Sequence, residues 1–201
     1  MTMTTKAKSK KIAKRDHTNL PAKLDMRRYF LKKYHGHHVP IVFDACRGEG
    51  QLWNKLRQEF KVNYWGVDKK KIEGQSNIVI NSIRIVSMPT FHADMVDIDT
   101  YGAPWAHWLA LLDKIKADTT IFLTEGRAMA TCATSGDVLR ATGCVFNELK
   151  LPVLLPGKMA NQLSTMVLAK LYDHGLTCVE CQEIVANVRV RYFGLHIRKA
   201  K

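Results

Sequence analysis

Short runs of branched and aromatic residues alternate along the chain with longer amphipathic stretches. Runs at residues 41–45, 62–67, 77–80, 93–98, 120–123, 178–186 and 188–197 have the length and composition of strands. Between them, residues 51–60, 104–116 and 159–174 read as helices; in the last, Leu163, Met166, Val167, Lys170 and Leu171 keep helical spacing. Strands separated by helix-length segments predict βαβ units and a mainly parallel sheet. The last two strands meet around Asn187 with no room for a crossover helix, so they are expected to pair antiparallel.

The first fifth of the chain is different. Residues 1–20 are poor in apolar side chains and rich in Lys and Thr, a composition that does not order by itself. Residues 24–34, LDMRRYFLKKY, predict a short basic helix that docks on the core or on a substrate. Of the 201 residues, 1–38 therefore read as a basic, partly disordered arm and 39–201 as one domain, a length that can bury roughly 70% of its unfolded surface. The arm holds 11 Lys and Arg against 2 Asp, a net of +9; the remainder holds 20 against 16, a net of +4. Such an arm releases counterions from a phosphate backbone, so nucleic acid is the natural partner; a solvated tail that aids solubility is the alternative. No run of about 18 apolar residues occurs and no apolar stretch replaces the charges near the start, so no membrane partner or secretion signal is expected. Five scattered cysteines suit reduced thiols, and the expected location is cytoplasmic.

The segment IVFDACRGEGQLW carries the most chemistry. An apolar strand ends in Asp44, the chain turns through Gly48 and Gly50, and a helix follows with Leu52, Trp53 and Leu56 on its inner face. Glycines let a ligand lie close to the backbone. The next strand, NYWGVD, ends 18 residues after Gly50 in Asp68, placed to accept hydrogen bonds from a ribose. A dinucleotide fingerprint requires a third glycine where this chain has Trp53, so the fit to NAD is poor. The pattern D-x-x-x-G-x-G instead resembles motif I of the class I methyltransferases. That resemblance implies S-adenosyl-L-methionine as cofactor and a Rossmann-like fold, a seven-stranded mostly parallel sheet with one antiparallel strand and helices on both faces. A carboxylate suits a cofactor bearing a sulphonium and an ammonium; it would repel a pyrophosphate. The implied cofactor contacts are Asp44, Cys46, Gly48, Gly50 and Asp68, with Asn81 and Ser82 at the end of the third strand toward the adenine. The alternative for the loop is a glycine turn without ligand, and for Asn81 and Ser82 plain turn chemistry.

The fourth strand ends in Asp99, followed by TYGAPW. Neighbouring parallel strands point their carboxyl ends into one crevice, which brings Asp99 to the reacting end of the cofactor. A carboxylate there can accept the N–H of a base amine, raise its electron density and take its proton. Asp99 is the candidate catalytic acid, with Tyr101 beside it; Tyr101 or Trp105 would stack on the base, and Pro104, Trp105 and Arg127 would contact substrate. DIDTYGAPW resembles the D-P-P-Y-type motif of amino-group methyltransferases and, more closely, the D-x-D-P-Y-G-S-P stretch of the tRNA guanine-26 N2-methyltransferase family. LTEGRAMATCATSGDVLRATG and VRVRYFGLHIRK are similar to later segments of the same family, so the resemblance covers about residues 39–198. It departs at Thr100 and Ala103, where proline and serine are usual. The family carries a C-terminal RNA-binding domain that this sequence does not reach, so a partner subunit is an expected source of substrate recognition. The implied activity is methyl transfer to a base amine of nucleic acid, guanine N2 in RNA first and adenine N6 in DNA second. The alternatives are a catalytically silent RNA-binding module with the same fold and a methyltransferase acting on a protein or small molecule.

Other residues read as structural. Cys178 and Cys181 have C-x-x-C spacing, but strand positions three apart are expected on opposite faces. His35, His37 and His38 lie in a basic loop without a neighbouring ligand partner, and no metal is expected. Trp108 reads as core, and for Arg127 a surface ion pair is the alternative to a substrate phosphate.

Overall fold

The computed structural model describes residues 19–72, 78–100, 102–126, 135–143, 157–187 and 190–200. Its strands are β1 Ile41–Asp44, β2 Asn63–Asp68, β3 Ile78–Val79, β4 Met95–Ile98, β5 Thr119–Gly126, β6 Leu176–Asn187 and β7 Val190–Lys199. They form one sheet in the order β3-β2-β1-β4-β5-β7-β6. The pairs from β3 to β5 are parallel, and β7 runs antiparallel to both β5 and β6. This is the expected seven-stranded sheet with one antiparallel strand.

Helices cover both faces because strand side chains alternate. Phe43, Val96, Ile98, Ile121, Leu123, Phe193 and Leu195 point to one face. There they pack with residues of α3 (Ser82–Val86), α4 (Trp105–Leu112), α5 (Ser135–Thr142), α6 (Gly157–Ala169) and the 3-10 helix Lys170–His174. Val42, Met95, Phe122 and Tyr192 point to the other, under α1 (Leu20–Tyr34) and α2 (Gln51–Glu59). The sequence pattern did not predict α3 or α5, which are only 5 and 8 residues long.

Helix α1 corrects the expected boundary at residue 38. It is part of the domain: Leu24, Met26, Arg27, Phe30 and Leu31 are buried. Its seat is made by Gly194 on β7, where an added Cβ would lie 2.7 Å from the Phe30 ring and 2.9 Å from Met26 Sδ. Any side chain there would force the Phe30 ring and Met26 to shift. Residues 1–18 of the expected arm lie outside the described residues.

A second correction concerns the cysteine pair. The register of β6 against β7 shifts between Cys178 and Glu180, so Val179 is an extra residue in the ladder. Cys178 then faces Ile197 and Cys181 faces Leu195, two apart on β7, which puts both thiols on one face of the sheet. His35 closes α1 at the opposite end of the sheet from the carboxyl ends of β1 and β4, with Nε2 2.9 Å from Thr120 Oγ1 at the start of β5. Burial lowers its pKa to about 4.

Candidate active site

The carboxyl ends of β1, β2 and β4 place Asp44, Asp68, Asp97 and Asp99 along one edge of the sheet. Between β1 and α2 the chain turns through Gly48 at φ 51° and Gly50 at φ 69°, left-handed conformations that disfavour other residues. Space over Gly48 is open: an added Cβ would meet only the Cys46 carbonyl oxygen, at 4.0 Å. The loop is tied to its neighbours, since Ala45 N donates to the Asp97 carbonyl at 2.8 Å and Arg47 N to that of Val67 at 2.9 Å. The Gly48 amide also donates to Asp68 Oδ2 at 3.0 Å, and Lys70 N to Asp68 Oδ1 at 2.9 Å. Asp68 therefore braces the loop while each oxygen keeps a further lone pair for a ligand.

Asp44 is buried. Its oxygens accept from Cys46 N at 3.1 Å and from the Tyr64 hydroxyl at 3.0 Å. Burial, reinforced by the charge of Asp97, pushes its carboxyl up to about 8 despite those bonds. Burial likewise raises the Cys46 thiol to about 12, so it stands in the loop as a neutral group.

Asp97 was not singled out from sequence, yet it anchors the site. The buried Arg27 guanidinium of α1 donates from Nε to Oδ2 at 2.8 Å and from Nη2 to Oδ1 at 2.7 Å. Trp53 Nε1 donates to Oδ2 at 2.7 Å, so the residue standing where a dinucleotide site needs glycine is a hydrogen-bond donor to this acid. The signal was present in D-x-D, a spacing of two that points Asp97 on β4 and Asp99 just past its end to the same side.

Asp99, one third exposed, is bound by Lys23 Nζ at 2.5 Å. Burial alone would raise its pKa; the Lys23 ammonium, the Arg27 charge and the Thr124 hydroxyl outweigh it and hold the carboxyl below its usual range. Lys23 and Arg27 are one helical turn apart on α1, so one helix face serves both acids. The loop after Asp99 is pinned where Gly126 N donates to the Gly102 carbonyl at 2.7 Å. Thr100 Oγ1 is buried with no hydrogen-bond partner among the described residues. Tyr101 and Arg127 lie outside the described residues.

Three sequence expectations are corrected. Trp105 is 1% exposed, packed toward Phe193, so its ring is not a stacking surface. Pro104 is buried as the residue preceding α4, where it starts the helix instead of facing substrate. Ser82 is buried with Oγ 2.7 Å from His107 Nε2, so its hydroxyl is turned into the core. The imidazole, lowered to about 4 by burial and then by Lys69, is neutral. Asn81 remains exposed at the end of β3, where its side chain caps α3 by accepting from Ile83 N at 3.1 Å.

No family model matches the sequence, and no curated protein matches it. Solved structures match its fold. Trm1 from Pyrococcus horikoshii, in complex with S-adenosyl-L-methionine, superimposes with a TM-score of 0.59 at 15% identity over 91% of this chain. TYW2 from M. jannaschii, in complex with AdoMet, gives 0.56 at 12% identity, covering 94% of this chain and 80% of that one.

The fold is that of the class I methyltransferases.

The plantazolicin methyltransferase BpumL, in complex with a pentazolic desmethylPZN analog and SAH, shares it at a TM-score of 0.51 and 11% identity, over 90% of this chain and 84% of that one. The present chain spans 56% of the length of the Pyrococcus Trm1 chain. In this class I methyltransferase fold the acids described above occupy the carboxyl edge of the sheet, where open α/β sheets bind ligands. Among the described residues no helix is long and apolar enough to cross a membrane.

Proposed function

We propose that the protein is an S-adenosylmethionine-dependent methyltransferase acting on a base amine of nucleic acid, with guanine N2 in RNA as the favoured target and the cytoplasm as its location. The observation that carries this reading is the alignment of Asp44, Asp68 and Asp99 along one sheet edge around the open Gly48 loop. When bound, the cofactor supplies an electrophilic methyl group. The site fits it by its chemistry: acids for a cation and a ribose, and open space over the bare backbone at Gly48. Asp68 accepts from the ribose hydroxyls, Asp44 faces the cationic amino-acid part, Cys46 and Gly50 shape the loop, and Asn81 meets the adenine.

Asp99 binds the acceptor amine. Held ionised by Lys23, it accepts an N–H, orients the nitrogen lone pair and increases its electron density. Orientation of this kind supplies several kcal/mol of a barrier. The lowered basicity of Asp99 makes it a better acceptor than a proton carrier, so the proton leaves to solvent after transfer. The likeness of DIDTYGAPW to the tRNA guanine-26 family supports RNA, as does the basic composition before residue 39. Recognition of a whole RNA then draws on that segment and on a partner subunit.

The Lys23–Asp99 ion pair also favours a second reading, a silent RNA-binding module whose catalytic acid is blocked. The test is transfer of tritium from methyl-labelled S-adenosylmethionine to bulk tRNA, to DNA and to protein. Label in RNA that is lost on ribonuclease treatment and maps to N2-methylguanine supports the proposal. Cofactor binding without label in any acceptor supports the module, and label in protein or DNA overturns the RNA assignment.

A further inference from the structure

Cys178 and Cys181 lie outside the candidate active site, on β6, the outer strand of the sheet. The bulge at Val179 brings both to the same face. Positions facing partners two apart are separated by ~6.8 Å along a strand, the upper end of the Cα separation that a disulfide spans. Cys178 narrows the gap: its Sγ leans along the strand to 3.3 Å from the Glu180 carbonyl oxygen, on the peptide group that joins Glu180 to Cys181. Both are free thiols, Cys181 exposed and Cys178 half-buried, and the edge position leaves them open to a small oxidant.

We propose that Cys178 and Cys181 form a dithiol that closes reversibly to an intramolecular disulfide, a redox modification site on the outer strand. With a small-molecule disulfide as oxidant, the Cys181 thiolate attacks one sulfur, forms a mixed disulfide and expels one thiolate. The Cys178 thiolate then attacks the Cys181 sulfur and expels the second. The protein loses two S–H protons and two electrons, and the oxidant takes up both to become two thiols.

The ring so formed encloses Val179 and Glu180. Glu180 is the acceptor for three groups of α1, Tyr29 OH at 2.7 Å, Lys33 Nζ at 2.7 Å and Tyr34 OH at 2.5 Å. Closure fixes the bulge that presents Glu180 to this helix, the same helix that carries Lys23 and Arg27. Burial and the neighbouring sulfur raise the Cys181 thiol to about 11, and burial raises Cys178. Little thiolate exists at neutral pH, so closure is slow there and speeds up about tenfold per pH unit while the thiol predominates. Regulatory disulfides of this kind are compatible with a reducing compartment because they are transient.

The test is to treat the full chain with oxidised glutathione at pH 8, quench in acid, block free thiols and digest with trypsin. The fragment from residue 171 to 189 holds Cys178, Cys181 and no other cysteine. The expected wild-type fragment is unblocked, lighter by the about 2 Da of two hydrogens, and restored by dithiothreitol. In Cys178→Ser, Cys181 stops at the glutathione adduct. A wild-type fragment that keeps two blocked thiols or carries two glutathiones after excess oxidant overturns the proposal, and so does a disulfide linking two copies of the chain.

Discussion

Arg27 and Asp97, 70 residues apart in sequence, meet in a two-point ion pair sealed between α1 and the sheet. Arg27 is 2% exposed, as is Asp97, and the guanidinium lies 4.6 Å over the Phe122 ring. The pair fixes α1, and α1 in turn delivers Lys23 to Asp99.

Removing one partner leaves the other charged in a dry site. Arg27→Met is expected to lower unfolding stability by about 3–5 kcal/mol, read from urea denaturation at pH 7. Replacing both partners, Arg27→Met with Asp97→Leu, is expected to recover part of that loss. A single replacement with no measurable cost would show that α1 does not dock as described.

Gly194→Ala tests the same docking by shape alone. The new methyl meets the Phe30 ring and Met26 Sδ at distances below contact, so a loss of about 1–3 kcal/mol is expected. For a chain of this length it should lower the melting temperature by about 2–4 °C per kcal/mol.

Asp44 gives a pH dependence with a defined sign. Its folded carboxyl is raised from 3.8 to about 8, so the native state keeps a proton that the unfolded chain releases. The stability linked to this group is complete below about pH 4 and is lost as pH rises toward 8, by up to about 1.4 kcal/mol per pH unit. Asp44→Asn is expected to gain stability relative to wild type over that range. It should also bind S-adenosylmethionine more weakly, with the affinity gap widening as pH rises through 8. A gap independent of pH would contradict the assignment.

Asp99 titrates in the other direction. Its carboxyl is held below the usual range, so the stability it adds is present above pH 3.8 and is lost only as pH falls through its lowered folded value. Turnover should be insensitive to this group between pH 5 and 7. Lys23→Met should move the acid limb of the rate profile upward. Asp99→Ala should abolish turnover and leave cofactor affinity largely intact; near-normal turnover would remove Asp99 from the mechanism.

The sheet was legible because its strands are short β-branched runs ending in acids and glycines, as at Asp44, Asp68 and Asp99. Helix α2 was legible from Leu52, Trp53 and Leu56. What the sequence concealed was direction and partnership. Lys23 and Arg27 read only as members of a basic arm, because the acids that bind them lie 76 and 70 residues away. Ser82 and Trp105 follow strand ends in sequence, where side chains are expected to face the site, but both are turned to the core, toward His107 and Phe193. The cysteine pair was misread because a single inserted residue, Val179, resets the period of two on which strand faces are assigned.

The most direct test is calorimetric titration of the purified chain with S-adenosylmethionine, beside Asp68→Ala. The expected result is micromolar binding to wild type that Asp68→Ala weakens at least about tenfold, a loss of about 1.4 kcal/mol. No binding to folded wild type, or equal binding to both, would contradict the cofactor site.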